Sequence, residues 1–268
     1  MKKYFYILLL AATTLTAYSC KKDKEENLPA ESEANEPAML SFDSKEYNQK
    51  TTMPCKGEQC TNVSISVPEA TGMGEVSDSI NKKIFNVTRS IVYFGEKPTD
   101  AKSYKELMDS FIKSYEELRR EFPDEDLPWE AKINASVEYR TDSIINVELK
   151  NYMFTGGAHG YEGLRSLLFS PKTGHSLTYD DIFKDKAGFK SLAEKMFRKK
   201  YNIAPTKNIN STGLFFEGDT FALPLNIFFR EDGLLLYYNP VEVGSFADGS
   251  KELLIPYSQA KPYISIKQ

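Results

Sequence analysis

The apolar residues change their spacing along the chain, and this change restricts the fold to a mixture of helices and strands. Two early segments repeat apolar residues every three or four positions, which predicts amphipathic helices: Ile80, Ile84, Val87, Ile91 and Phe94 in the first, and Leu107, Phe111, Tyr115, Leu118 and Phe122 in the second. Ser77 or Asp78 is expected to cap the first helix, and Pro123 to end the second. From residue 137 onward the apolar spacing changes to two, which predicts strands.

The remaining elements complete a pattern of short strands with a few helices. Strands are predicted over residues 40–47, 61–67, 137–139, 145–153, 164–170, 225–230, 234–238 and 253–255. Glu231-Asp232-Gly233 predicts a hairpin turn between two of these strands. Thr178 and Asp181 have the spacing of a capping box that opens a short helix, and another helix is predicted over 189–201. The sequence therefore predicts an α+β fold of mainly antiparallel sheets with helices packed on them.

The composition is that of a packed and acidic globular protein. Apolar residues make up 41% of the 268 residues, and aromatic residues make up 13%. This content is sufficient for a buried core. The formal net charge is −4, and it becomes −6 if Lys2 and Lys3 are removed with a leader segment. Such a charge argues against a nucleic-acid ligand and suits a basic partner.

The first twenty residues have the layout of a secretory signal peptide. Two lysines precede an apolar run over residues 4–12, and small residues lead to Cys20. The run is shorter than the about 20 apolar residues that cross a bilayer. A cysteine at this position resembles the lipidation site of bacterial lipoproteins, and the charged residues after it resemble the export signals of Bacteroidetes lipoproteins. We therefore expect a signal peptide over 1–19, a lipid on Cys20, a flexible tether over 20–37 and a location in the cell envelope.

The other two cysteines, Cys55 and Cys60, form an even pair in an exported chain. Their spacing, with Gly57 between them, predicts a disulfide that closes a tight loop. The chain-entropy model gives such a loop about 2 kcal/mol of stabilisation. A redox or metal role is the alternative, but redox pairs usually stand two residues apart and no histidine lies nearby in the sequence.

The glycine-rich string Thr155-Gly156-Gly157-Ala158-His159-Gly160 follows a predicted strand and is the most unusual local feature. Glycines allow close approach of the backbone to a neighbouring chain or ligand. Gly156, Gly157 and His159 are therefore the candidate ligand-contacting residues. We expect His159 mainly to hold the loop by hydrogen bonds; a base, a proton donor or a ligand contact are the alternatives. The chain has only two histidines and no Gly-x-Ser-x-Gly motif, so we expect no metal site, no cofactor and no catalytic residue.

Several ordered stretches resemble a known family of unknown function. The stretches are residues 152–159, 169–174, 177–183, 229–240 and 255–258. They resemble the RsiV-like domain family, preceded by a PdaC-type N-terminal domain. The resemblance implies an N-terminal domain over 38–160 and an RsiV-like domain over 161–268. It transfers no catalytic residues, because the polysaccharide deacetylase domain that accompanies some members, with its metal ligands, has no counterpart here.

The resemblance implies a binding function at the cell envelope. One family member is the extracytoplasmic part of an anti-sigma factor that binds lysozyme, so the expected partner is a basic protein such as lysozyme, or peptidoglycan or another wall glycan. A small envelope hydrolase, with His159 acting as base beside Asp180 or Asp181, is the rival hypothesis. A structural envelope protein without a small ligand is a third. An enzyme of the rival kind requires His159 in a cleft within hydrogen-bonding distance of an acid or a nucleophile.

Overall fold

The computed structural model describes residues 39–55, 57, 59–124 and 127–267, which belong to one compact unit. The predicted signal peptide, Cys20 and the tether lie outside the described residues. The strands are β1 (Ser41–Lys50), β2 (Asn62–Thr71), β3 (Glu130–Arg140), β4 (Ile145–Phe154), β5 (Tyr161–Phe169), β6 (Asn226–Phe229), β7 (Gly233–Tyr238) and β8 (Lys251–Pro256). The helices are α1 (Glu75–Arg89), α2 (Tyr104–Glu121), α3 (Tyr179–Ile182), α4 (Lys186–Lys200) and α5 (Tyr257–Ala260).

The strands form two sheets, which confirms the predicted α+β class. The first sheet has five strands in sequence order, β1 to β5, and the second has three, β6 to β8. All neighbouring strands are antiparallel except β2 and β3, which run parallel. Helices α1 and α2 form the connection between that parallel pair, because parallel neighbours need a long crossover.

One face of the five-stranded sheet packs on α1 and α2. Its apolar residues alternate along the strands, as Val63 and Ile65 do on β2 and as Ala131 and Ile133 do on β3; all four are at most 1% exposed. They form a single core with the apolar stripes of the two helices. The apolar stripes predicted for the two helices therefore face this sheet, as expected of amphipathic helices.

The ends of α1 differ from the prediction. The sequence predicts Ser77 or Asp78 as the cap of the helix, but its cap is Gly74. The Ser77 hydroxyl instead accepts a hydrogen bond from the Met73 backbone N–H, inside the first turn. At the other end the helix stops at Arg89, so Ile91 and Phe94 lie in the connection that follows. Their helical spacing continued beyond the helix because both side chains still pack in or against the first core.

The last strand of the first sheet joins two cores. On β5, Leu167 and Phe169 point into the first core, and Leu168, between them, points into the second. The second core also contains α4, the three-stranded sheet and the loop between them. The predicted domain boundary between residues 160 and 161 falls between β4 and β5, which are hydrogen-bonded neighbours of one sheet.

The predicted hairpin and capping features lie where the sequence placed them. β6 and β7 pair around Glu231-Asp232-Gly233. The Asp181 carboxylate accepts hydrogen bonds from the backbone N–H and the hydroxyl of Thr178 at the start of α3, both at 2.7 Å. The connection between β1 and β2 carries a disulfide between Cys55 and Cys60. Within the described ranges no helix is long and apolar enough to cross a membrane.

Candidate functional site

The glycine-rich string forms the loop between β4 and β5. Gly156 and Gly157 have φ angles of +102° and +88°, a region that residues with a side chain rarely adopt. A Cβ atom at either position would meet no atom within 4 Å, so these two glycines are required by the backbone conformation and not by lack of space. Gly160 is different, because a Cβ atom there would lie 2.5 Å from the ring of Tyr152.

His159 lies exposed on this loop and contacts a neighbouring loop. Its ring stacks on the ring of Phe246 with a centroid distance of 4.0 Å and an angle of 16°. Its Nδ1 atom lies 3.2 Å from the backbone oxygen of Gly160. These contacts connect the loop after β4 with the one-turn helix Phe246–Asp248.

The carboxylates named in the hydrolase hypothesis have other partners. Asp181 bonds to Thr178, and these hydrogen bonds hold the pKa of its carboxyl below its usual range. Asp180 forms an ion pair with Lys186 at 2.6 Å. In the described part of the chain no hydrogen bond joins either carboxylate to His159. The structure therefore does not bring together the acid and base that the hydrolase hypothesis requires.

A cleft of about 500 Å³ lies beside this loop and is the strongest candidate site, which we term the junction cleft. Its volume is within the range of about 300–1,000 Å³ typical of small-ligand sites. Strands β3, β4 and β5 form one side, and Tyr237 of β7 with the following loops forms the other. The lining consists of Lys132, Asn134, Lys150, Asn151, Tyr152, Glu162, Gly163, Leu164, Tyr237, Pro240, Gly249 and Ser250.

Four polar side chains on the sheet wall of the junction cleft have no hydrogen-bond or ion-pair partner among the described residues. Lys132, Asn134, Tyr152 and Glu162 form no side-chain hydrogen bond or ion pair with any described residue. Unpartnered donors and acceptors at a cleft wall are therefore available to a ligand. Asn151 also lines the cleft, but it stands beside Ile133 in the register, so its side chain belongs to the helix-packed face of the sheet.

One of the two lysines that line the cleft, Lys150, forms an ion pair with a carboxylate of the protein. Lys150 lies 3.2 Å from the Glu148 carboxylate, which also binds Arg230. Glu148 is buried, so its charge needs these partners. Lys132 is thus the lysine of the cleft whose charge is not balanced by a described carboxylate.

The far wall of the cleft is fixed to β5 through a strained turn. The Asn239 side chain accepts a hydrogen bond from the Leu164 N–H at 2.7 Å and donates one to the Leu164 oxygen at 2.9 Å. Pro240 lines the cleft, and Val241 after it has φ +64°, which is unfavourable for a β-branched residue. Backbone strain of this kind is concentrated at binding and catalytic sites.

A second depression of about 540 Å³ has a simpler construction. It is formed by one helix, α4, and the loop that follows it, up to Pro205. The junction cleft instead collects residues from four strands and from the connection between β7 and β8, and it adjoins the glycine-rich string.

The candidate residues predicted from the sequence lie in a loop next to the junction cleft, and none of them lines it. Gly156, Gly157 and His159 lie in the loop between the cleft residues Tyr152 and Glu162. Lys132 and Asn134 were missed because the predicted strand began at residue 137, whereas β3 begins at Glu130. Their alternation with Ala131, Ile133 and Ala135 was the available signal. Within the described ranges no group of three or more histidine, cysteine, aspartate or glutamate side chains is placed to hold a metal ion.

The fold and two family models relate this chain to known proteins. The model described as "Deacetylase PdaC" matches residues 55–162, and the model described as "Protein of unknown function (DUF3298)" matches residues 180–258. The junction cleft draws side chains from both matched regions, because Tyr237, Pro240, Gly249 and Ser250 belong to the second. No functionally curated protein matches the chain.

Two crystal structures share the fold. One is a DUF3298 family member from Bacteroides fragilis NCTC 9343, which is 21% identical, with a TM-score of 0.69 over 85% of this chain and 95% of that one. The other is a DUF3298 family protein from Pseudomonas aeruginosa PAO1, which is 19% identical, with a TM-score of 0.57 over 86% of this chain and 95% of that one. These similarities establish a shared fold over most of the chain.

Proposed function

We propose that this protein is a lipid-anchored binding module of the bacterial cell envelope that holds a wall glycan in the junction cleft. The observation that carries the proposal is the set of unpartnered polar side chains in that cleft, next to an aromatic ring. The amide of Asn134 supplies donors and an acceptor, which suits sugar hydroxyl and acetamido groups. The ring of Tyr152 offers an apolar surface to the C–H groups of a sugar ring.

One lysine of the cleft can bind a carboxylate of the glycan, while the Glu162 carboxylate lines the same cleft at the edge of the sheet. Lys132 is exposed and has no ion pair with a described residue, in a chain whose net charge is −4. A ligand carboxylate would gain a charge-assisted hydrogen bond there. The size of the cleft also favours a small ligand over lysozyme, because a protein partner of standard size covers about 800 Å² of surface on each side.

The cleft proposal is tested by co-sedimentation of the detergent-solubilised full chain with purified peptidoglycan sacculi. We expect Tyr152→Ala to lower the bound fraction strongly and Tyr152→Phe to retain most of it, because only the ring face is needed. Lys132→Gln should weaken binding, whereas Lys83→Gln, an exposed lysine on α1, is the matched control. Equal binding by wild-type protein and Tyr152→Ala would exclude the cleft as the glycan site.

Two results would replace the proposal with its alternatives. Capture of the protein on immobilised lysozyme, unaffected by Tyr152→Ala, would favour protein recognition through another surface. Release of new fragments from sacculi, abolished by His159→Ala with an unchanged thermal midpoint, would favour the hydrolase.

The envelope location rests on Cys20, which lies outside the described residues. We expect metabolically supplied labelled fatty acid to be incorporated into the wild-type protein and not into Cys20→Ser. Several acyl chains hold a protein far more firmly than one, since each buried CH₂ contributes about 0.8 kcal/mol. Labelling of Cys20→Ser would disprove the anchor and leave the cleft proposal untouched.

A further inference from the structure

The junction cleft continues into a longer polar surface on the same sheet. A third depression, of about 90 Å³, is separate from the one at α4. It is lined by Lys132 and Asn134, which also line the junction cleft. Its other polar lining residues come from β1 and β2, at the opposite edge of the sheet. The two depressions are therefore adjacent and share a wall on the central strand β3.

The strand register shows that this surface consists of two straight rows across all five strands. In an antiparallel or parallel pair, register partners stand side by side on one face. The first row is Asn48, Ser64, Lys132, Tyr152 and Glu162. The second row is Glu46, Ser66, Asn134, Lys150 and Leu164. All ten residues line one of the two depressions, and none of them is buried.

The chemistry of the rows changes little from end to end. Nine of the ten side chains are polar or aromatic with a hydroxyl, and Leu164 is the exception. The charges are negative at both edges and positive in the middle, because Glu46 and Glu162 stand at opposite edges and the two lysines stand between them. A nucleic acid needs a continuous positive surface, which these carboxylates interrupt.

We propose that these two rows form one extended binding groove for a linear glycan, which runs across the strands from β5 to β1. This inference rests on the proposed function and adds the length and direction of the ligand. Five strands are separated by four spacings of about 4.8 Å, so the groove is roughly 19 Å long, the length of about four linked sugar rings. The junction cleft then holds one end of the chain, and Asn48, Ser64 and Ser66 contact the other.

Binding across the strands gives a role to the central lysine, which has no ion pair with a described residue. Lys132 lies in the middle of the first row and lines both depressions. A carboxylate substituent on the glycan would meet it at the centre of the groove, where it fixes the register of the chain. The side chains on either side supply hydrogen bonds to hydroxyl and amide groups along the chain.

The test measures how affinity depends on ligand length. The full chain in detergent is titrated calorimetrically with peptidoglycan glycan fragments of two, four and six sugar residues. We expect about a tenfold gain in affinity from two to four residues, since two added hydrogen bonds supply that much, and a smaller gain from four to six. The double variant Asn48→Ala/Ser66→Ala should lose most of the gain and keep the affinity for the disaccharide within about twofold.

The variants separate this inference from the function on which it rests. Tyr152→Ala should weaken all three fragments, because it changes the end that every fragment occupies. Asn86→Ala on α1 is the control, and circular dichroism checks that each variant is folded. Equal affinity for all three lengths in the wild-type protein would overturn the extended groove and leave the short-ligand cleft in place. No binding of any fragment would overturn both.

Discussion

The five-stranded sheet has two faces of opposite chemistry, although the same five strands build both. On one face Ile133, Ala131 and Ile65 are at most 1% exposed beneath α1 and α2. On the other face Lys132 and Asn134, adjacent in sequence to Ile133, are open to solvent. The period-two alternation of β3 thus gives one strand a structural face and a face free to bind a ligand.

The polar face is itself divided into a covered and an open part. At one end the Asn146 amide accepts a hydrogen bond from the Phe229 N–H at 2.7 Å, and Glu148 binds Arg230. Both Asn146 and Glu148 are buried under β6. At the other end lie the two rows described above, and none of their residues is buried. Polar side chains of one sheet face are therefore used either for attachment of the second sheet or for a ligand, and the following predictions separate these roles.

The largest expected effect is on the packed face. Ile133→Ala should lower the free energy of unfolding by about 3 kcal/mol, because it removes buried methyl groups and leaves a cavity. Asn134→Ala, the next residue and on the open face, should change it by less than about 0.5 kcal/mol. Urea unfolding of the two variants measures both values. A similar loss in the two variants would show that the open face also carries stability.

The covered part of the polar face should respond almost as strongly. Asn146→Ala leaves the buried Phe229 N–H without its acceptor, and an unsatisfied buried donor costs about 2 kcal/mol. Urea unfolding again measures the loss, with Asn134→Ala as the exposed control on the neighbouring strand. A loss as small as that of the control would mean that water replaces the amide and that β6 is not held there.

The loop beside the open part should be sensitive to backbone conformation. Gly157→Val should lower stability by about 1 to 2 kcal/mol, because a β-branched residue resists the φ of +88° seen there. Space does not limit this substitution, since no atom lies within 4 Å of the added Cβ. Thermal unfolding provides the measurement. Unchanged stability would show that the loop adopts another conformation in solution.

His159→Ala should have a smaller effect on the same loop. The substitution removes the stack on Phe246 and the contact with the Gly160 oxygen, together worth about 1 kcal/mol. We expect the stability loss to be measurable by thermal unfolding and the affinity for glycan fragments to stay nearly constant. A loss of affinity with unchanged stability would instead make His159 a ligand contact.

The smallest expected effect concerns pH and lies away from both faces. The hydrogen bonds from Thr178 lower the pKa of Asp181 in the folded state below its unfolded value of about 4. The carboxylate therefore contributes its stability above that pH and loses it as the pH falls through the folded pKa. Asp181→Asn should flatten the acid limb of the stability curve, and Asp142→Asn is an exposed control. Identical acid limbs in wild type and Asp181→Asn would contradict the lowered pKa.

Local patterns in the sequence predicted many elements but not all of their ends. The alternation around Val147 and Leu149 and the turn at Glu231-Asp232-Gly233 predicted β4 and the β6–β7 hairpin correctly. The helical spacing of Ile80 and Ile84 predicted α1 but extended it past Arg89. Apolar spacing reports which side chains are buried, and a buried side chain after a helix gives the same signal as one within it.

The sequence by itself determined the class of the fold, the loop at Gly156 and Gly157, and the separation of apolar from polar residues on each strand. These depend on nearest neighbours along the chain, where backbone conformation and side-chain period act directly. Tertiary structure alone decided that β2 and β3 run parallel, that Leu167 and Leu168 serve different cores, and that Lys132 and Tyr152 stand side by side. Strand register joins residues far apart in the chain, so the energy that selects it comes from packing of the whole core and leaves no local mark in the sequence.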